Sequence, residues 1–223
     1  MDQAENEPEL AFAINAEAPG IVAEEAARLG VPLIHYSTDY VFDGSKATPY
    51  DEDDAPNPLG IYGRSKLAGE QAIRAAGAEH LILRTSWVYS LHGRNFLLTM
   101  QRLLQERAQL KVVDDQIGAP TWAATIAAST RALIERWQNG QAGAWGTYHL
   151  TAQGETPGSA SPRPSANSSR SVACPAPNCC RSLPANTRHR QSDRSTRAWT
   201  VRAWPRMAGQ PATLHDALID CLK

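Results

Sequence analysis

Ser37-Thr38-Asp39-Tyr40-Val41-Phe42-Asp43, read together with Tyr62-Gly63-Arg64-Ser65-Lys66, decides the fold of this 223-residue chain. Residues 32–38 (PLIHYST) are an apolar run of strand length closed by hydroxyls, with a carboxylate next. Residues 45–58 are polar and contain prolines, which marks a loop. Residues 59–76 predict a helix, and Tyr62 and Lys66, four apart, share one face of it. The same alternation extends outward. Residues 9–30 are alanine-rich and helical, with Gly30 as the stop. Residues 80–87 (HLILRTSW) predict a second strand. Residues 95–108 predict an amphipathic helix with Phe96, Leu97, Met100, Leu103 and Leu104 on one face. A third strand is expected at 110–114, a helix at 122–137 and a fourth strand at 146–152. Strands alternating with helices at this spacing predict an α/β fold with a doubly wound parallel sheet.

The bulk numbers exclude more than they identify. A net charge of −1 carries no global field toward nucleic acid or a membrane surface. No apolar run reaches the roughly 18 residues of a membrane span. The acidic opening MDQAENEPEL has neither the basic nor the apolar region of a secretory leader, so a cytoplasmic location is expected. Three of the four cysteines (Cys174, Cys179 and Cys180) share one unusual segment, so their number says nothing about redox compartment. With His189 they lack the spacing of a structural zinc site, and no metal site is expected there.

The strand end and the helix together suit carbonyl reduction, which needs a hydride on carbon and a proton on oxygen. Tyrosine donates a proton, but its ordinary pKa near 10 is high for a group cycling near neutrality. A lysine ammonium about 5 Å away, at an effective dielectric of ~20, favours the tyrosinate by about 3 kcal/mol, or roughly two pKa units. Lys66 is therefore expected to lower Tyr62. Thr38 ends a parallel strand, where ligands bind in open α/β sheets, and its hydroxyl suits donation to a carbonyl. A cap on the strand end is the plainer reading of Thr38, and an Asx turn that of Asp39. Tyr40 and Phe42 are expected to pack. His35, on an apolar strand, is expected in the core.

The wording STDYVFDG followed by YGRSKLAGE resembles the dTDP-4-dehydrorhamnose reductase family, extended short-chain reductases of nucleotide sugars. The resemblance covers about residues 2–156 and a short end at 212–223, and implies NADPH or NADH as cofactor and a 4-keto dTDP-sugar as substrate. It implies rhamnose supply to surface polysaccharide such as O-antigen. It makes Tyr62, Lys66 and Thr38 catalytic, adds Ser37 to Tyr62 and Lys66 as cofactor contacts, and gives Thr38, Asp39 and Trp87 to the sugar. RTSWVYS at 84–90 matches the family except at Ser90, where glycine is usual. Residues 93–96 (GRNF) and 115–121 (DQIGAPT) match further family loops, and Asn95 is expected to cap the helix that it opens. The family also implies a homodimer and a magnesium ion, whose carboxylate ligands have no identifiable counterparts here.

Two regions depart from the pattern. No G-x-x-G-x-x-G or G-x-G-x-x-G precedes the first helix, although such a turn holds the pyrophosphate in nucleotide-binding folds. The expectation is a partial Rossmann-type sheet without its first β–α units, and weak or no NADPH binding by these 223 residues. From residue 157 to 211 there are nine arginines, no lysine and one acid, with no sustained period. A disordered basic tail is the plain reading. Translation out of frame is the reading preferred, because TPGSASPR with one inserted base can yield T-S-W-F-G-F-A-E, a family-like stretch. The expected division is a partial reductase domain at 1–156, an aberrant segment at 157–211 and a final helix at 212–223.

Two other functions share these features. The regulatory β subunit of methionine adenosyltransferase has a similar strand end and serves as a binding partner. Sugar-nucleotide epimerases and dehydratases share the Tyr/Lys pair, but dehydratases carry a glutamate where this chain has Tyr40.

Overall fold

The computed structural model describes residues 2–106, 117–140, 145–152 and 156–157. The expected strand at 110–114, Asp115 and Gln116, the segment at 158–211 and the helix at 212–223 lie outside the described residues.

The centre is a three-stranded parallel sheet in the order β1-β2-β6. Its strands are β1 (Leu33–Thr38), β2 (His80–Thr85) and β6 (Gly146–His149). Register pairs His35 with Ile82, Ser37 with Arg84, and Arg84 with His149. Paired residues of neighbouring strands point to one face, so Leu33, His35, Ser37, Ile82, Arg84, Thr147 and His149 line one side. That side meets α4 (Ile61–Ala75), and the buried Ile73 and Ile82 join Ala23 with Leu33 packed against them. Each such isoleucine contributes roughly 1.5–3 kcal/mol by leaving water. The opposite side is represented by Tyr36, whose hydroxyl hydrogen-bonds Thr130 Oγ1 at 2.7 Å on α6 (Ala123–Gln138). Helices on both faces make the sheet doubly wound, as expected.

The N-terminal helical run consists of α1 (Asp2–Asn6), α2 (Pro8–Phe12), a π turn (Ala13–Glu17) and α3 (Ala18–Leu29). Gly30 ends it with φ of 64°, the left-handed stop that the sequence predicts. The π turn is the departure from a plain helix. It lies where α4 approaches most closely: a Cβ on Gly69 would collide with the Asn15 carbonyl oxygen. Asn15 Nδ2 also donates to Ser65 Oγ at 3.1 Å. Local widening of the helix is thus matched to a small-residue face on its partner.

The second strand is shorter than the sequence suggests. It stops at Thr85 because Trp87 takes φ of 43°, a left-handed conformation that breaks extended pairing. Beyond it, β3 (Val88–Tyr89) pairs in parallel with β5 (Thr121–Trp122), and β4 (Ile117–Gly118) pairs antiparallel with β7 (Thr156–Pro157). The sheet system is therefore mixed at its margin. The amphipathic helix α5 (Phe96–Glu106) opens at Asn95, whose Oδ1 accepts the Leu98 N–H at 3.1 Å, the expected cap.

Candidate functional site at the end of the first strand

Thr38 closes β1 and Asp39 opens a 3₁₀ turn (Asp39–Val41) that brings the chain round to face α4. The helix can approach because Gly63 has no side chain: a Cβ there would strike the Tyr40 carbonyl oxygen and, at 2.9 Å, Pro58 Cβ. The N-terminus of α4 is held from a distance, with Glu5 Oε1 accepting the Ile61 N–H at 2.7 Å. Gly60 offers no side chain for that task, and a carboxylate at a helix start also meets its positive dipole end.

This packing brings the Tyr62 side chain beside Thr38. The Tyr62 ring meets Tyr40 edge-on, centroids 5.8 Å apart. Thr38 Oγ1 donates to Asp39 Oδ1 at 3.1 Å and accepts the Tyr40 N–H at 3.3 Å. Asp39 is buried, and its second oxygen accepts from Ser86 Oγ at 3.3 Å, across from the end of β2. The turn-forming and chemical readings of Thr38 thus coexist in one side chain.

Lys66 lies one turn along from Tyr62. Its Nζ donates to the Tyr36 carbonyl at 2.8 Å and lies 3.1 Å from His35 Nε2. Burial pushes Lys66 below its usual range, countered by the negative charge of Glu70. Tyr62 departs from the sequence expectation. Burial raises its pKa, the Thr38 side chain opposes this, and the Asp39 carboxylate raises it further. The expected lowering by Lys66 is outweighed because burial penalises the tyrosinate and the Asp39 carboxylate adds to that.

Ser37 stands one residue before Thr38 on β1. Its hydroxyl is buried and donates to Glu70 Oε1 at 2.6 Å, on the α4 side of the sheet. The side chain is therefore engaged by Glu70 in the core. Glu70 accepts in addition from Arg84 Nε at 2.9 Å and Nη2 at 2.7 Å, and from Arg74 Nη2 at 2.9 Å. Burial alone would raise Glu70, but Arg84, Ser37 and Arg74 together hold it below the usual carboxylate range. Arg74 reaches on to Thr147 Oγ1 at 2.9 Å, which ties β6 to the same helix. Sequence reading missed this network. The signal was the four-residue spacing of Tyr62, Lys66, Glu70 and Arg74, one helical face continued past the pair that attracted notice.

Trp87 stands at the end of β2, half-buried. Its carbonyl accepts the Thr121 N–H at 3.2 Å, and its ring lies over Gly118, where a Cβ would come within 2.5–2.8 Å of the indole. Gly118 belongs to the 115–121 loop, so two segments singled out separately in the sequence are in contact. Phe42 is buried, stacked on Tyr50 with centroids 4.4 Å apart and lying beneath the Arg84 guanidinium, which confirms packing. Among the described residues, no three His, Cys, Asp or Glu side chains gather in a way that would hold a metal ion. No helix among them is long and apolar enough to cross a membrane.

The chain is similar in sequence and fold to known proteins. A family model described as the RmlD substrate binding domain matches residues 1–196. The dTDP-4-dehydrorhamnose reductase of Sinorhizobium fredii is 49% identical over 156 residues, 70% of this chain and 53% of that protein. The Escherichia coli K12 protein of the same name is 49% identical over 156 residues, with 70% and 52% covered. Among solved structures, dTDP-4-dehydrorhamnose reductase from Bacillus anthracis in complex with NADP superposes with a TM-score of 0.65 at 42% identity, covering 70% of this chain and 54% of that one. The chain spans about half the length of the curated relatives that it matches. A family match over most of the chain places this protein in the family of RmlD substrate-binding domain proteins.

Proposed function

We propose that the protein takes part in reducing the 4-keto group of dTDP-4-dehydro-6-deoxy-L-mannose to give dTDP-L-rhamnose, with NADPH or NADH as reductant. The observation that carries this reading is the Tyr62 hydroxyl against Thr38, with Lys66 one turn further on the same helix. Half-length identity of 49% to reductases of that name supports it. The nicotinamide, when bound, supplies the hydride that reaches the keto carbon.

The chain's own residues manage the oxygen. Burial and Asp39 keep the proton on Tyr62 at neutral pH, the state a proton donor requires. Thr38 turns its hydroxyl from Asp39 Oδ1 toward the carbonyl oxygen and polarises it. Tyr62 then gives its proton to the developing alkoxide. Lys66, an ammonium one turn away, offsets the negative charge left on the tyrosine oxygen and binds ribose hydroxyls. Trp87, over Gly118, faces the sugar, and Asp39 acts on it through Thr38. Tyr40 takes no proton-transfer part, because its ring packs against Tyr62.

The homodimer, the cytoplasmic location and a role in O-antigen supply belong to the same proposal, supported by family membership alone. So does the division into a reductase part at 1–156 and an out-of-frame segment at 157–211, supported by the arginine-rich composition; resequencing the gene tests it. The functional test is oxidation of NADPH in the presence of the keto sugar nucleotide. Tyr62→Phe is expected to lower kcat by roughly 10²–10⁴-fold while leaving the circular dichroism spectrum unchanged. Full activity in Tyr62→Phe would remove Tyr62 as the proton donor.

A further inference from the structure

We propose that His35 is a positioning residue for Lys66: its neutral imidazole accepts one Nζ proton and, with the Tyr36 carbonyl, fixes the direction in which the ammonium points. The inference rests on Lys66 belonging to the site proposed above, but the contact itself is measurable without turnover.

Lys66 has three Nζ protons. One goes to the Tyr36 carbonyl at 2.8 Å and a second to His35 Nε2 at 3.1 Å. Both acceptors stand on adjacent residues of β1, and they pin the long side chain at two points. The third proton goes to neither of these acceptors. A lysine side chain has many rotamers, so without these two bonds the ammonium would seldom keep one direction.

An ammonium can donate only to an unprotonated imidazole nitrogen, and His35 meets that condition. Burial first, then the Lys66 charge, lowers its pKa to about 4, against a smaller upward pull from Glu70. The acceptor is thus present throughout the neutral range. The charged groups around the pair are Glu70 from α4 and, through Glu70, Arg84 from β2 and Arg74 from α4. Strand alternation explains why His35 can do this: with Leu33 and Ser37 it points to the α4 side of the sheet.

The test uses the whole chain. It has four lysines (Lys46, Lys66, Lys111 and Lys223), so lysine labelled at Cε gives a sparse carbon spectrum, with Lys66 assigned by K66R. In the wild type, imidazole nitrogen NMR is expected to show His35 Nε2 unprotonated, Nδ1 protonated and no titration between pH 5 and 8. In H35L the Lys66 titration midpoint is expected to fall by about one pH unit, because the charged form loses a hydrogen bond. H35Q, which keeps an acceptor at the same reach, is expected to restore it. A protonated Nε2 on His35, or a Lys66 midpoint unmoved in both variants, overturns the proposal. If H35L fails to fold, the wild-type imidazole spectrum and H35Q decide. Loss of the reductase reading through an active Y62F variant would leave this result standing, so the two fail separately.

Discussion

Glu70 shows how much one side chain can organise. It is fully buried, yet four donors on Ser37, Arg74 and Arg84 converge on its two oxygens. A buried ion pair is not in itself stabilising, because desolvation offsets attraction. Removing one member is another matter, since Arg84, only 2% exposed, would be left charged and without a counter-ion. Glu70→Ala is expected to cost about 3–5 kcal/mol, read from the urea midpoint at neutral pH. A loss under 1 kcal/mol would mean that water or another carboxylate reaches Arg84. At this scale the sequence was legible where local spacing names a residue, as for the Asn95 cap. It was not legible where partners are set by strand register. Ser37 and Arg84 lie 47 positions apart and meet only because β1 and β2 pair in this register. For the same reason the direction of the Tyr62 shift was missed: Lys66 is visible at i+4, whereas burial and Asp39 act through the tertiary fold.

At the scale of elements, α4 is the part on which everything bears. Gly63 lets it approach the turn after β1, Gly69 lets it approach the π turn, and Glu5 caps its start. Alanine favours a helix interior over glycine by up to about 1 kcal/mol. Gly69→Ala is nonetheless expected to destabilise by about 1–3 kcal/mol, because the added methyl meets the Asn15 carbonyl. Thermal unfolding checks the sign, and a gain in stability would show that the helices part without cost. The four longer helices were legible to within a few residues, since their apolar periods run for three turns or more. The two-residue strands β3, β4, β5 and β7 were not, because two residues cannot display a period. Trp87 ended β2 early for a reason invisible to propensity, a left-handed backbone at a bulky residue.

Across the whole molecule, acid is the expected weakness. Asp43 accepts from Tyr50, Ser45 and Asn57, and these bonds hold its carboxyl well below the usual range and organise the loop between β1 and α4. Glu70 is depressed as well. A carboxyl with a lowered folded pKa contributes stability above its unfolded pKa, and that contribution is lost as pH falls through the folded value. Glu52, which accepts the His149 N–H and ties the same loop to β6, is raised by burial and acts in the opposite sense. Three depressed carboxylates (Asp43, Asp54 and Glu70) against one raised, with His35 lowered to about 4 acting in the same sense, predict that urea midpoints fall progressively as pH drops below about 6.5. Asp43→Asn is expected to flatten that slope while lowering stability at pH 7. An unchanged slope would place the acid response elsewhere. The alternation of strand and helix made the α/β architecture legible from end to end of the described residues. The mixed sheet margin was not, because it depends on pairing between distant short segments.

The ladder Tyr62, Lys66, Glu70, Arg74 divides one helical face into two halves with different fates under mutation. A lineage that abandoned catalysis could exchange the first two at little thermodynamic cost. It could not so readily exchange the last two, because they hold three strands to the helix. Descendants that keep the glutamate and arginine while losing the tyrosine and lysine would therefore be scaffolds retired from chemistry. That asymmetric erosion would be their signature.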